Sequence, residues 1–159
     1  MPNISHEQAI ANLIARYAFL VDDGDFRGLA QLFADGELIL NGGTPAIGSE
    51  AVEALAHAML RTYDDGTPRT RHVTTNLIIE VDDAGEAASS RSYYTVFQAT
   101  AGFPLQPIAC GRYSDRFALK GRRWVFTHRE VETNLVGDVS HHRRWSSRIM
   151  RLGIKRRRV

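Results

Sequence analysis

Cysteine is nearly absent from this 159-residue chain: Cys110 stands alone, which excludes an internal disulfide and argues against a cysteine-rich metal site. No apolar run approaches the roughly 20 residues that a membrane-spanning helix requires. The opening residues, MPNISHEQ, lack the charged-then-apolar order of a secretory leader. There is no phosphate loop, no GxSxG nucleophile motif, no dinucleotide fingerprint and no internal repeat. Together these absences fit a soluble protein of a reducing cytoplasm. Acid is also missing from one end. No Asp or Glu follows Asp138, while eight of the 20 Lys and Arg lie between Arg143 and Arg158. The first 142 residues therefore hold 12 basic against 18 acidic groups, a formal charge of −6, so the overall +2 describes neither part. Such a basic end could meet nucleic acid or an anionic membrane. The reading adopted is a solvated terminus with no nucleic-acid partner.

What is present suits one domain with a sizeable core, at 43% hydrophobic and 24% charged residues. Ser5-His6-Glu7-Gln8 reads as a capping box opening a helix to about Val21, with Ile10, Leu13, Ile14, Tyr17 and Val21 on its apolar stripe. Asp22-Asp23-Gly24-Asp25 is turn chemistry, and Asp25 can cap a second helix from Phe26 to about Ala34. A short strand, Glu37 to Leu40, precedes a third helix capped by Ser49. From His72 the period becomes two. Val73, Thr75, Leu77, Ile79 and Val81 are expected on one face, and His72, Thr74, Asn76, Ile78 and Glu80 on the other. Further strands run from Ala87 to Thr100, Ile108 to Leu119 and Arg123 to about Thr133. Helices followed by an antiparallel meander make an α+β order, with a curved sheet wrapped around the first helix to leave an apolar pocket. The domain is expected to span residues 1–135 and to be complete without the basic tail, 136–159. His141 and His142 are read as part of that solvated tail.

In order, Tyr17-x4-Asp22-x2-Asp25-x3-Leu29-x2-Leu32-Phe33, Gly48, His72-x3-Asn76-Leu77, Gly111-x-Tyr113-x-Asp115-x-Phe117 and Gly121-x2-Trp124-x-Phe126-x2-Arg129 resemble the SnoaL-like branch of the nuclear transport factor 2-like superfamily. The resemblance covers residues 5 to about 134 and implies a cone-shaped α+β fold. That branch includes scytalone dehydratase, bile acid 7α-dehydratase, hexachlorocyclohexane dehydrochlorinase, polyketide cyclases and the non-catalytic β subunits of ring-hydroxylating dioxygenases. By resemblance, Asp22 and His72 match the aspartate–histidine pair of the eliminating enzymes. Tyr17 matches the helix-one tyrosine of the bile acid enzyme, and Arg129 an active-site arginine of the dehydrochlorinase. The acidic residue that the bile acid enzyme carries near Thr95-Val96 has no counterpart here.

The chemistry implied is general-base catalysis without metal or cofactor. A neutral imidazole accepts a proton, and a carboxylate on its other nitrogen fixes the tautomer and stabilises the imidazolium. Tyr17 would donate to a leaving oxygen or oxyanion, and Arg129 would hold an anionic group. Arg129 can alternatively pair with Glu130 or Asp115 on the sheet. Tyr113, Phe97, Phe33 and Trp124 are the expected pocket wall. The reading is a lyase or isomerase acting on a small apolar, ring-containing or steroid-like molecule, in a homodimer or homotrimer that covers the outer sheet face. Its rival is a binding or scaffold protein of the same fold.

Overall fold

The computed structural model describes residues 4–144. Three helices, α1 (His6–Asp22), α2 (Phe26–Gln31) and α3 (Gly48–Met59), pack inside one sheet of β1 (Glu37–Leu40), β2 (Ala46–Ile47), β3 (Thr70–Val81), β4 (Ala87–Thr100), β5 (Phe103–Lys120) and β6 (Arg123–Val136). The strand order is β2-β1-β6-β5-β4-β3. β3 to β6 form the expected antiparallel meander, but β1 lies parallel to β6, so the curved, unclosed sheet is mixed.

α1 follows its apolar spacing: Ile10, Ile14, Tyr17 and Val21 are buried at intervals of three and four, facing the sheet. Only half of its capping box forms. Ser5 Oγ accepts from the Gln8 N–H, while the Gln8 side chain donates to Asn12 instead. Asp25 caps α2 as expected, accepting from the Gly28 N–H at 2.8 Å, but α2 ends at Gln31 rather than Ala34. Ser49 caps nothing: α3 starts at Gly48, two residues before the start a Ser49 cap implies, and the Gly48 φ of 78° suits glycine.

β3 departs from strict alternation. Thr75 pairs with Tyr93 and Ile78 with Arg91, so Asn76 and Leu77 together face one β4 residue, with Asn76 at φ 55°. This bulge exchanges the faces. Thr70 and His72 point inward before it, whereas Ile79 and Val81 pack on the core after it. Val73, Leu77 and Ile78, assigned by alternation to two different faces, are all exposed. A second bulge lets Arg116 pair with His128 while Phe117 pairs with Phe126. Phe126 and Arg129 therefore both face inward, three positions apart.

The chain does not leave the domain at Leu135. β6 ends at Val136, and residues 137–144 fold back across the end of α3. The His141 carbonyl accepts from Tyr63 Oη and Gln98 Nε2, Arg61 N–H donates to the His142 carbonyl, and Arg144 N–H donates to the Met59 carbonyl. His142 is buried, which corrects the solvated reading of the histidine pair. The rest of the basic tail, 145–159, lies outside the described residues.

Candidate active site

Asp22 closes α1, where the helix dipole presents its negative end and a carboxylate needs other support. Three donors supply it. Asp22 Oδ1 lies 2.6 Å from His72 Nδ1 and accepts from Thr70 Oγ1 at 2.7 Å; Oδ2 accepts from the His72 backbone N–H at 2.8 Å. Burial pushes the Asp22 pKa up, but bonds and charge attraction from His72, with the Thr70 hydroxyl, outweigh it and hold the carboxyl below its ordinary value. The turn after α1 fixes this arrangement. Gly24 has φ 73°, and a Cβ there would collide with the Gly66 carbonyl oxygen.

His72 forms part of the wall of a cavity of about 380 Å³ between α1, α3 and the sheet. With Nδ1 held by Asp22, Nε2 is the ring nitrogen left for a ligand, and it has no protein partner among the described residues. Tyr17 and Tyr113 share the wall, with ring centroids 5.9 Å apart. Tyr94 stacks on Tyr113 at 4.5 Å and bonds Thr133 Oγ1 at 2.6 Å. Burial raises all three tyrosine pKa values, that of Tyr94 to about 12, so each hydroxyl keeps its proton at neutral pH.

Four of the expected site residues are placed differently. Arg129 has no exposed surface and does not line the cavity: its Nε and Nη2 grip both oxygens of Asp115, at 2.7 and 2.8 Å. Its guanidinium lies 4.2 Å from the ring centroids of both Tyr17 and Tyr113, behind the cavity wall, and its third nitrogen, Nη1, is buried with no partner among the described residues. Phe33 is core, stacked on Phe126 at 5.1 Å beneath Tyr17. Trp124 sits at the start of α1, donating to His6 Nδ1. Phe97 alternates with inward-facing Val96 and so faces outward. Of the four expected wall aromatics only Tyr113 lines the cavity.

The wall also holds residues that sequence reasoning missed. Thr70 shares Asp22, a role to be expected of a hydroxyl two residues before an inward His72. Tyr94 follows the same inward alternation. His142 and Arg143 reach the cavity through the 137–144 segment. His142 is 9% exposed, and burial with the nearby His72 and Arg143 lowers its pKa to about 4. Among the described residues no three of His, Cys, Asp and Glu converge as metal ligands, and no helix is long and apolar enough to cross a membrane.

Residues 2–130 match the SnoaL-like domain. No curated protein matches the chain. Similar solved structures include a nuclear transport factor 2-like protein with a cystatin-like fold from Novosphingobium aromaticivorans, 25% identical over 86% of each chain, with a TM-score of 0.67. A protein of unknown function from Mycobacterium tuberculosis, solved as an Asp-to-Asn variant, is 30% identical over 84% of this chain and 75% of its own, with a TM-score of 0.66. A candidate scytalone dehydratase from Novosphingobium aromaticivorans shares the fold at 22% identity, covering 89% of each chain with a TM-score of 0.67. With a domain match over most of its length and these structural relatives, the chain belongs to the SnoaL-like family, which includes cofactor-independent isomerases and dehydratases.

Proposed function

We propose that this protein is a cofactor-independent lyase or isomerase acting on a small apolar, ring-containing molecule, with His72 as general base and Asp22 as the group that orients it. One observation carries the reading: the 2.6 Å His72–Asp22 contact stands in the wall of a cavity, not in a filled core. The cavity lies within the size range of small-molecule sites, and most of its lining surface is apolar.

In an elimination, His72 Nε2 takes a proton from a ring carbon. The C–H electron pair becomes the new double bond, and hydroxide leaves the neighbouring carbon with its bonding pair. The imidazolium then returns the proton, releasing water and restoring neutral His72. In an isomerisation the same proton returns to a different carbon. Asp22 stabilises the imidazolium formed between these steps. The Tyr17 and Tyr113 hydroxyls, both protonated at neutral pH, would donate to a developing oxyanion.

The test is hydrogen–deuterium exchange at carbons next to the carbonyl in a panel of cyclic ketones, followed by NMR in heavy water. Exchange that needs His72 supports the reading. A panel that binds without exchanging, in both the native protein and His72→Ala, would shift the assignment to a non-catalytic binding protein of the same fold.

A further inference from the structure

The cavity wall contains no Asp or Glu, yet it contains a guanidinium. Arg143 lines the cavity, half-buried, and no ion pair joins it to an acid among the described residues. The segments outside them, 1–3 and 145–159, contain no acidic side chain. A cation withdrawn from water without a counter-ion is unfavourable, and burial lowers the Arg143 pKa accordingly. Beside it, His142 Nδ1 is buried with no hydrogen-bond partner. The cavity wall thus presents a guanidinium with no acid paired to it and, next to it, a buried imidazole nitrogen with no partner among the described residues.

Their position is fixed, not incidental. The 137–144 segment is fastened on both sides, by Tyr63 and Gln98 to the His141 carbonyl and by Met59 and Arg61 through the backbone. Leu60 and Arg143 form a β-bridge at the cavity rim.

We infer that the cavity's ligand is a small apolar carboxylic acid, bound as its monoanion, with the carboxylate received by the Arg143 guanidinium beside the His142 ring. A planar guanidinium offers two parallel N–H donors that match a carboxylate, and here there is one such group. A phosphate dianion would bring two negative charges to a wall whose single guanidinium offsets one. The inference deepens the proposed function by naming the ligand class of the same cavity. It also gives the substrate an orientation: the acid group at the 137–144 segment, with the apolar body extending into the cavity where His72 stands.

Calorimetric titration of the full chain with 2-naphthoate and its neutral isostere 2-naphthamide tests this. The native protein should bind the carboxylate at least about tenfold more tightly than the amide. Arg143→Gln should abolish that preference while leaving amide binding within about twofold, and Arg143→Lys should keep part of it. His72→Asn should retain the preference, so a failure of the catalytic reading is distinguishable from a failure of this one. Equal affinity of the native protein for the two probes overturns the inference. So does an undiminished preference in Arg143→Gln, or the absence of binding by either probe at millimolar concentration. Should Arg143→Gln fail to fold, the native comparison and Arg143→Lys still decide.

Discussion

Two buried aspartates of this molecule each hold a cationic or basic partner, and they end in opposite roles. Asp115 and Arg129 close on each other. Both carboxylate oxygens take guanidinium N–H groups, Ser90 Oγ adds a third bond at 3.1 Å, and aromatic rings cover the guanidinium. Asp22 is equally well supplied with donors, but its partner has two functional nitrogens and spends only one on the aspartate. The difference lies in the partner and in what stands behind it: aromatic core behind Arg129, open cavity before His72. A buried ion pair is therefore no sign of a site until the partner's other face is inspected.

Breaking the closed pair should have the largest effect on stability. Arg129→Leu leaves Asp115 charged and unpaired in the core, which typically costs about 3–5 kcal/mol. For a chain of this size that corresponds to a fall in Tm of roughly 6–20 °C by calorimetry. A variant melting with the native protein would mean that the pair is not structural. His72→Ala should behave conversely. Thr70 and the backbone N–H still satisfy Asp22, so the loss should stay below about 2 kcal/mol, while turnover of any substrate found falls by roughly 10²–10⁴. A Tm drop as large as that of Arg129→Leu would erase the contrast and favour the scaffold role.

A third test concerns the buried histidine of the 137–144 segment. The folded-state pKa of His142 is lowered to about 4, against about 6.5 unfolded. Between those values the unfolded chain binds the extra proton, so stability should fall as pH drops from 6.5 towards 4, with a slope of at most about 1.4 kcal/mol per pH unit from this residue. Denaturant melts of His142→Phe should show a shallower slope across that window. The smallest expected effect belongs to Asp22→Asn. Because the Asp22 carboxyl is held below its ordinary value, its contribution is present above an unfolded pKa of about 3.9 and is lost as pH falls further. The variant should flatten that acid limb. An unchanged acid limb would argue against the Asp22–His72 bond.

Much of this was legible in the sequence, for reasons that can be named. Asp22 was conspicuous as an acid directly after an apolar helical stripe, and the ordered motifs linked it to His72 across 50 positions. The inward direction of His72 was not legible beyond a few residues, because the bulge at Asn76 depends on how β4 pairs, not on any signal local to β3. Arg129 misled by resemblance while its plain reading, a pair with Asp115, agreed with the geometry. The wall aromatics Phe33, Phe97 and Trp124 were equally apolar in sequence, and only the strand faces and the first turn of α1 separate core, outside and helix entry. His142 and Arg143 were lost in a charge run whose composition resembles a free terminus. Nothing local records that the neighbouring His141 carbonyl accepts from Tyr63 and Gln98, or the His142 carbonyl from the Arg61 N–H.

The Asn76 bulge also fixes a reading frame along β3. Upstream of it, even-numbered residues face inward, and downstream the odd-numbered ones do. The strand is thus two messages joined by one extra residue, His72 and Thr70 spelled in one phase and Ile79 and Val81 in the other. Removing that residue would leave no register in which both could be read correctly. An insertion or deletion of one residue between His72 and Ile79 would therefore turn one of the two inward sets to the outer face, whatever the side chains between them.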